Sequence, residues 1–261
     1  MIEILHYEFM QSALAAGMVA SVLCAVIGIY VILNRITFIS DGIAHAAFGG
    51  IGLGYLLGYD PLILALGFAL ASALGIGSIR SRVSEDTAIG VFLAMGMALG
   101  ILFMSLSQGY SKDLFDFLFG NILAVTWGDV SLILALTALM IALVALLYKE
   151  FLILSFDPLY GEALGLPVKK LRLLLLCMVS LSVVVLIKIV GIIMVIALLT
   201  IPGAIAQQYT KNLRSIMVLS SLLGAVFVVS GLAVSYLFDI PSGATIILVA
   251  SAAFFVGTLA R

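Results

Sequence analysis

Apolar stretches long enough to cross a bilayer as helices, which takes about 20 residues each, follow one another along almost the whole chain. They run Gln11–Leu33, Ser40–Gly58, Leu62–Ile79, Thr87–Leu106, Val130–Tyr148, Leu173–Ile187, Gly191–Gln208, Ile216–Phe238 and Gly243–Ala260. In hydrocarbon each backbone N–H and C=O must find its partner within the protein, and a helix supplies one locally. Only 10% of the residues are charged and the mean hydropathy is +1.35, against roughly 25% charged residues in soluble domains. The expected product is an all-α polytopic membrane protein with about nine transmembrane helices, a single transmembrane domain over residues 1–261 embedded in the lipid bilayer of a cell membrane. A net charge of −1 gives no reason to expect a nucleic-acid partner. Cys24 and Cys177 lie inside apolar runs, where they serve as small hydrophobes rather than as a disulfide or a thiolate zinc site. Met1–Met10 carries Glu3, His6 and Glu8 in place of a basic leader, so no cleavable signal peptide is expected.

The basic residues orient these spans. With nine crossings and the N-terminus outside, Arg35, Arg80, Arg82, Lys149, Lys169, Lys170, Arg172, Lys211, Arg214 and Arg261 all fall on the inner side. Only Lys112 and Lys188 fall outside, which satisfies the positive-inside rule. Ser107–Asp129 holds a further apolar piece, Phe115–Val125. Counting it as a tenth span would move Arg35, Arg80 and Arg82 outward, so it reads as re-entrant or interfacial. The C-terminus then faces the cytoplasm.

Ionisable groups inside a span are costly and mark function by default. Asp41 and His45 stand four residues apart in Ile-Ser-Asp-Gly-Ile-Ala-His-Ala-Ala-Phe, a spacing that puts both on one helical face. Carboxylate oxygen and imidazole nitrogen form a ligand set for a divalent transition metal. The same two residues also suit a plain helix start with a satisfied histidine, and the spacing alone leaves both readings open. Gly50, Gly54 and Gly58 on the second span, and Gly96 with Gly100 on the fourth, form small-residue ridges that let helix backbones meet. Gly191 and Pro202-Gly203 can interrupt the seventh span and line a pathway. Glu85 and Asp86 follow Ser84, where acids favour the positive end of a helix dipole.

Residues 149–172, KEFLILSFDPLYGEALGLPVKKLR, form the largest inner excursion. Asp157 can cap a helix whose first turn Pro158 fits, and Glu162 and Ala163 continue it. Gly165 and Pro167 end it. This D-P-L-Y-G-E-A-L-G-L-P stretch resembles the coupling helix of the large-type ABC importer permeases. Ile39–Gly50, Glu85–Gly90, Leu118–Thr126, Val190–Ala206 and Asp239–Leu248 narrow the resemblance to the permease subunits of zinc and manganese ABC importers. Together they run in family order over nearly the whole chain, and the zinc-uptake branch looks closest. Pro202-Gly203-Ala204 departs from that family's Pro-Ala-Ala.

The resemblance implies a transport subunit, not an enzyme, that moves Zn²⁺ (or Mn²⁺, or iron) inward and holds no permanent cofactor. It implies metal-handling roles for Asp41 and His45, and ATPase coupling through Asp157, Glu162, Ala163 and Gly165. The chain carries no G-x-x-x-x-G-K-[ST] phosphate loop, so ATP hydrolysis falls to a separate ATP-binding cassette subunit. A second permease copy in a homodimer and an extracellular or periplasmic metal-binding protein complete the implied assembly. Its docking surface would include the loops near Asp60, Asp113, Asp116 and Asp239. Three other readings compete. An ion-coupled carrier without an ATPase would leave 149–172 without a purpose. An intramembrane metalloenzyme lacks HExxH and a third ligand. A siderophore or cobalamin permease would not need the Asp41–His45 ridge.

Overall fold

The computed structural model describes residues 7–79, 83–107 and 120–259. Eleven α-helices lie within them: α1 Glu8–Leu33, α2 Thr37–Leu57, α3 Pro61–Ile79, α4 Glu85–Leu106, α5 Trp127–Leu146, α6 Tyr148–Phe156, α7 Pro158–Ala163, α8 Val168–Val190, α9 Ile192–Tyr209, α10 Leu213–Phe238 and α11 Ser242–Leu259. A 3₁₀ turn, Ile122–Ala124, precedes α5. The described part of the apolar piece Phe115–Val125 is this turn and its flanks; the rest lies outside the described residues. Eight of the helices are long and apolar enough to cross a membrane. A ninth, α2, is 21 residues long but diluted by Asp41, His45 and its glycines. The helical architecture expected from the apolar runs is thus the one observed.

The chain forms two compact units. The first comprises Met1–Ile32, Asp116–Leu146 and Ile189–Arg261. In it α1 packs tightly: a Cβ added at Gly28 would lie 3.1 Å from Leu199 Cα of α9, and one at Gly224 of α10 would lie 3.0 Å from Ser21 Cβ of α1. Ile205, Phe227 and Ala250 join α9, α10 and α11 in a small core. The outward faces stay apolar, with Leu222, Val226, Phe255 and Val256 exposed, as helices bathed in hydrocarbon require.

The second unit comprises Leu33–Phe115 and Leu147–Lys188, and its centre is α2. A Cβ at Gly50 would meet Ala65 Cα at 2.7 Å, and one at Gly54 would meet Pro61 Cα at 2.6 Å, both on α3. On the other side, a Cβ at Gly52 would meet Gly100 Cα at 2.9 Å, and one at Gly96 would meet Ala46 O at 2.9 Å. The helices therefore touch backbone to backbone, the packing that small residues permit where no hydrophobic effect drives association. Gly58, expected on the same ridge, instead ends α2 in the left-handed conformation with φ 70°.

Two expectations are corrected here. Residues 149–172 hold two short helices rather than one, because the apolar Phe151 and Leu154 bury one face of the additional α6. Pro202 sits inside an unbroken α9, so only Gly191 interrupts that span. Gly191 has φ 78° and ψ 161°, a region essentially closed to other residues, and it divides the apolar sequence into α8 and α9.

Candidate metal site and coupling helix

Asp41 lies just past the first turn of α2 and His45 one turn further on. His45 Nδ1 is 3.1 Å from Asp41 Oδ1 and 3.0 Å from the Asp41 carbonyl oxygen. In the neutral ring an imidazole nitrogen flanked by two acceptors is the one that carries the proton, and Nε2 then keeps a lone pair for a cation. This is the arrangement in which a carboxylate or carbonyl orients a metal-binding histidine. Both side chains are partly exposed, His45 at 22% and Asp41 at 30%. The spacing of four therefore does bring the two together, with Asp41 holding the ring as well as presenting its own carboxylate.

Asp41 opens onto a groove of about 440 Å³ shared with Phe38 of α2 and with Asp86, Ile89, Gly90 and Leu93 of α4. Ser84 caps α4, its Oγ accepting from Thr87 N at 3.3 Å, as the helix-start reading expected. That reading gave Asp86 no further part, yet the structure sets it in the same groove as Asp41. The available signal was the helical register: Ile89, Gly90 and Leu93 follow Asp86 at three, four and seven residues, one face of α4. Among the described residues no group of three or more His, Cys, Asp or Glu side chains is placed to hold a metal ion. A cation at Asp41 and His45 would keep water or other oxygen ligands, which suits a passing substrate.

Asp157, Glu162, Ala163 and Gly165, the candidate coupling residues, stand apart from this pair, on α7 and at its two ends. Asp157 caps the helix, its Oδ1 accepting from Tyr160 N at 2.9 Å, and Pro158 occupies the first turn. At the other end Gly165 has φ 79°. Gly165 N donates to Glu162 O at 3.0 Å and Leu166 N donates to Gly161 O at 3.0 Å, the double-bonded glycine stop of a Schellman motif. Glu162, Ala163 and Gly165 are exposed, whereas Gly161 is buried against Ile153 of α6 and Val168 of α8. Phe156, Leu159, Tyr160 and Leu164 expose 65%, 78%, 55% and 54% of their surface. So much bared apolar surface on a polar excursion marks a contact face, for a protein or for the membrane surface.

The pattern of the ABC 3 transport family matches residues 6–261. An uncharacterized membrane protein of Synechocystis sp. is 48% identical, covering 100% of this chain and 94% of that one. The manganese transport system membrane protein MntC of Listeria monocytogenes is 41% identical, covering 98% and 92%. The solved structure of PsaBC from Streptococcus pneumoniae in complex with Fab superposes with a TM-score of 0.89 at 35% identity, covering 98% of this chain and 93% of its match.

Proposed function

The chain belongs to the ABC 3 transport family, and on that footing we propose that it is the membrane permease of an importer whose substrate is Mn²⁺. The observation that carries this reading is the oriented Asp41–His45 pair on a helix whose near-full-length relative is a manganese transport protein. The zinc branch, expected from short motifs such as Ile-Ala-His-Ala-Ala-Phe-Gly-Gly, yields to manganese. Those motifs are mostly small packing residues, and one carboxylate with one imidazole serves either metal. Divalent N/O sites bind zinc more tightly than manganese at equal geometry, so preference for Mn²⁺ must come from coordination geometry, further oxygen ligands or metal supply rather than from one Asp and one His alone.

The bared face of α7 supports docking of a separate ATP-binding cassette subunit, with Asp157 and Gly165 fixing the helix ends and Glu162 and Ala163 lying on its surface. In the same reading a second permease copy completes the pathway, a metal-binding protein delivers the ion from outside, and the N-terminus faces outward. The test is uptake by proteoliposomes holding permease and ATPase, offered equal Mn²⁺ and Zn²⁺ and assayed by elemental analysis. Mn²⁺ should dominate the ATP-dependent uptake. Asp41→Ala, His45→Ala and Asp41→Asn should each nearly abolish it while ATPase binding persists. Zinc-dominated uptake would return the chain to the zinc branch, and wild-type rates in the Asp41 and His45 variants would remove the site.

A further inference from the structure

Four observations connect the coupling helix to the metal helix within one compact unit. First, α7 is seated on α6: Gly161 is close enough to Ile153 that a Cβ would lie 3.1 Å away, and Asp157 N donates to Ile153 O at 2.8 Å. Second, α6 is itself anchored, with Phe151 at 0% and Leu154 at 3% exposure. Third, Ser155 of α6 donates through Oγ to Phe151 O at 2.8 Å and accepts from Asn34 Nδ2 at 2.9 Å. This bond joins residues 121 positions apart. Fourth, Asn34 belongs to the turn that starts α2. The next residue, Arg35, is held at φ 57°, a left-handed conformation that non-glycine residues rarely adopt. Ile36, 2% exposed, accepts from Ser40 N at 3.1 Å, and Asp41 follows Ser40 directly. The tie between the excursion and the α1–α2 turn thus lies at Asn34, seven residues before Asp41 on the same stretch of chain.

We infer that the Asn34–Ser155 hydrogen bond is the joint through which movement of α7 reaches α2 and repositions Asp41 and His45. This rests on the reading of α7 as the ATPase dock and of Asp41–His45 as the metal pair. Asn34 and Ser155 are positioning residues: neither contacts the ion. A rigid tie suits the task because α6 is packed on one side and the turn is conformationally constrained on the other, so displacement is passed on rather than absorbed. A chain of contacts shows only that coupling has a route, and proof requires that the two residues act as one unit.

The experiment uses the reconstituted permease–ATPase complex and compares Asn34→Ala, Ser155→Ala, the double variant and Ser155→Thr, which keeps the hydroxyl. The readout is metal transported per ATP hydrolysed, alongside ATPase binding and melting temperature. Asn34→Ala and Ser155→Ala should each bind the ATPase normally and lose about fivefold in that ratio, the factor a typical net hydrogen bond carries. The double variant should be no worse than either single, and Ser155→Thr should stay near wild type. An unchanged ratio in both single variants, or losses that multiply in the double, would overturn the inference. If Asn34→Ala lowers the melting temperature, the Ser155 pair alone decides, since Ser155→Thr keeps the hydroxyl that Ser155→Ala removes. Failure of the wild-type permease to bind any ATPase would instead defeat the functional reading beneath it.

Discussion

Gly96→Ala places one methyl group where α4 crosses α2 directly behind His45. The added Cβ would lie 2.9 Å from Ala46 O and closer still to Ala46 Cα, and both are backbone atoms that cannot rotate away. Restoring an ordinary 3.4 Å contact with that oxygen requires the helices to part by at least half an ångström. Overpacking of this kind costs about 1–3 kcal/mol. Against it stands the helix preference of Ala over Gly, about 1 kcal/mol. Gly67→Ala on α3 isolates the two effects, because a Cβ at Gly67 meets nothing within 4 Å. The difference between the two variants is then the wedge itself, about 1–3 kcal/mol. Thermal unfolding in detergent should rank Gly67→Ala at or above wild type and Gly96→Ala below it. Metal uptake should fall in Gly96→Ala alone, since the parted helices carry Asp41 and Asp86 on facing sides of the groove. Equal melting temperatures and equal uptake in the two variants would refute backbone contact as the basis of this packing.

Two further outcomes are expected. Gly165→Val has open space around it, since a Cβ there meets nothing within 4 Å. Its φ of 79° instead penalises any Cβ by roughly 1–2 kcal/mol, so α7 should lose its stop and metal-stimulated ATPase activity should fall while membrane insertion is unchanged. Asp157→Ala removes the cap on α7, worth about 1 kcal/mol. Titration of ATPase against permease should show weaker binding, with metal binding to the permease unaffected.

The long apolar runs were sufficient for the membrane-length helices because hydrocarbon forces the backbone into helices regardless of side-chain detail. The spacing of Asp41 and His45, and the Asp157-Pro158 start and Gly165 stop of α7, were legible for the same reason: they are local. Long-range contacts were not. Nothing in the sequence pairs Asp86 with Asp41 or Asn34 with Ser155, because each pair forms only when helices distant in sequence pack together. Helix α6 was missed because its short buried face, Phe151 and Leu154, merges with the end of the preceding apolar run. Pro202 misled because a proline in a membrane helix need not break it when neighbours satisfy the freed carbonyl. The metal was least legible, since its motif residues mostly record how closely helices pack.

The polarity of α2 bears on how the protein is made. A membrane inserts segments according to their apolarity, and an Asp within a span opposes insertion, most of all at the helix centre. With Asp41, His45 and glycines at 42, 49, 50, 52 and 54, α2 is a poor candidate to leave the translocon alone. Its partners are the next two helices to be synthesised, and α3 and α4 are both strongly apolar. The segment that carries Asp41 and His45 therefore gains its place in the bilayer from helices that emerge after it, and mutations that make α3 or α4 less apolar should be read out first as a failure of biogenesis.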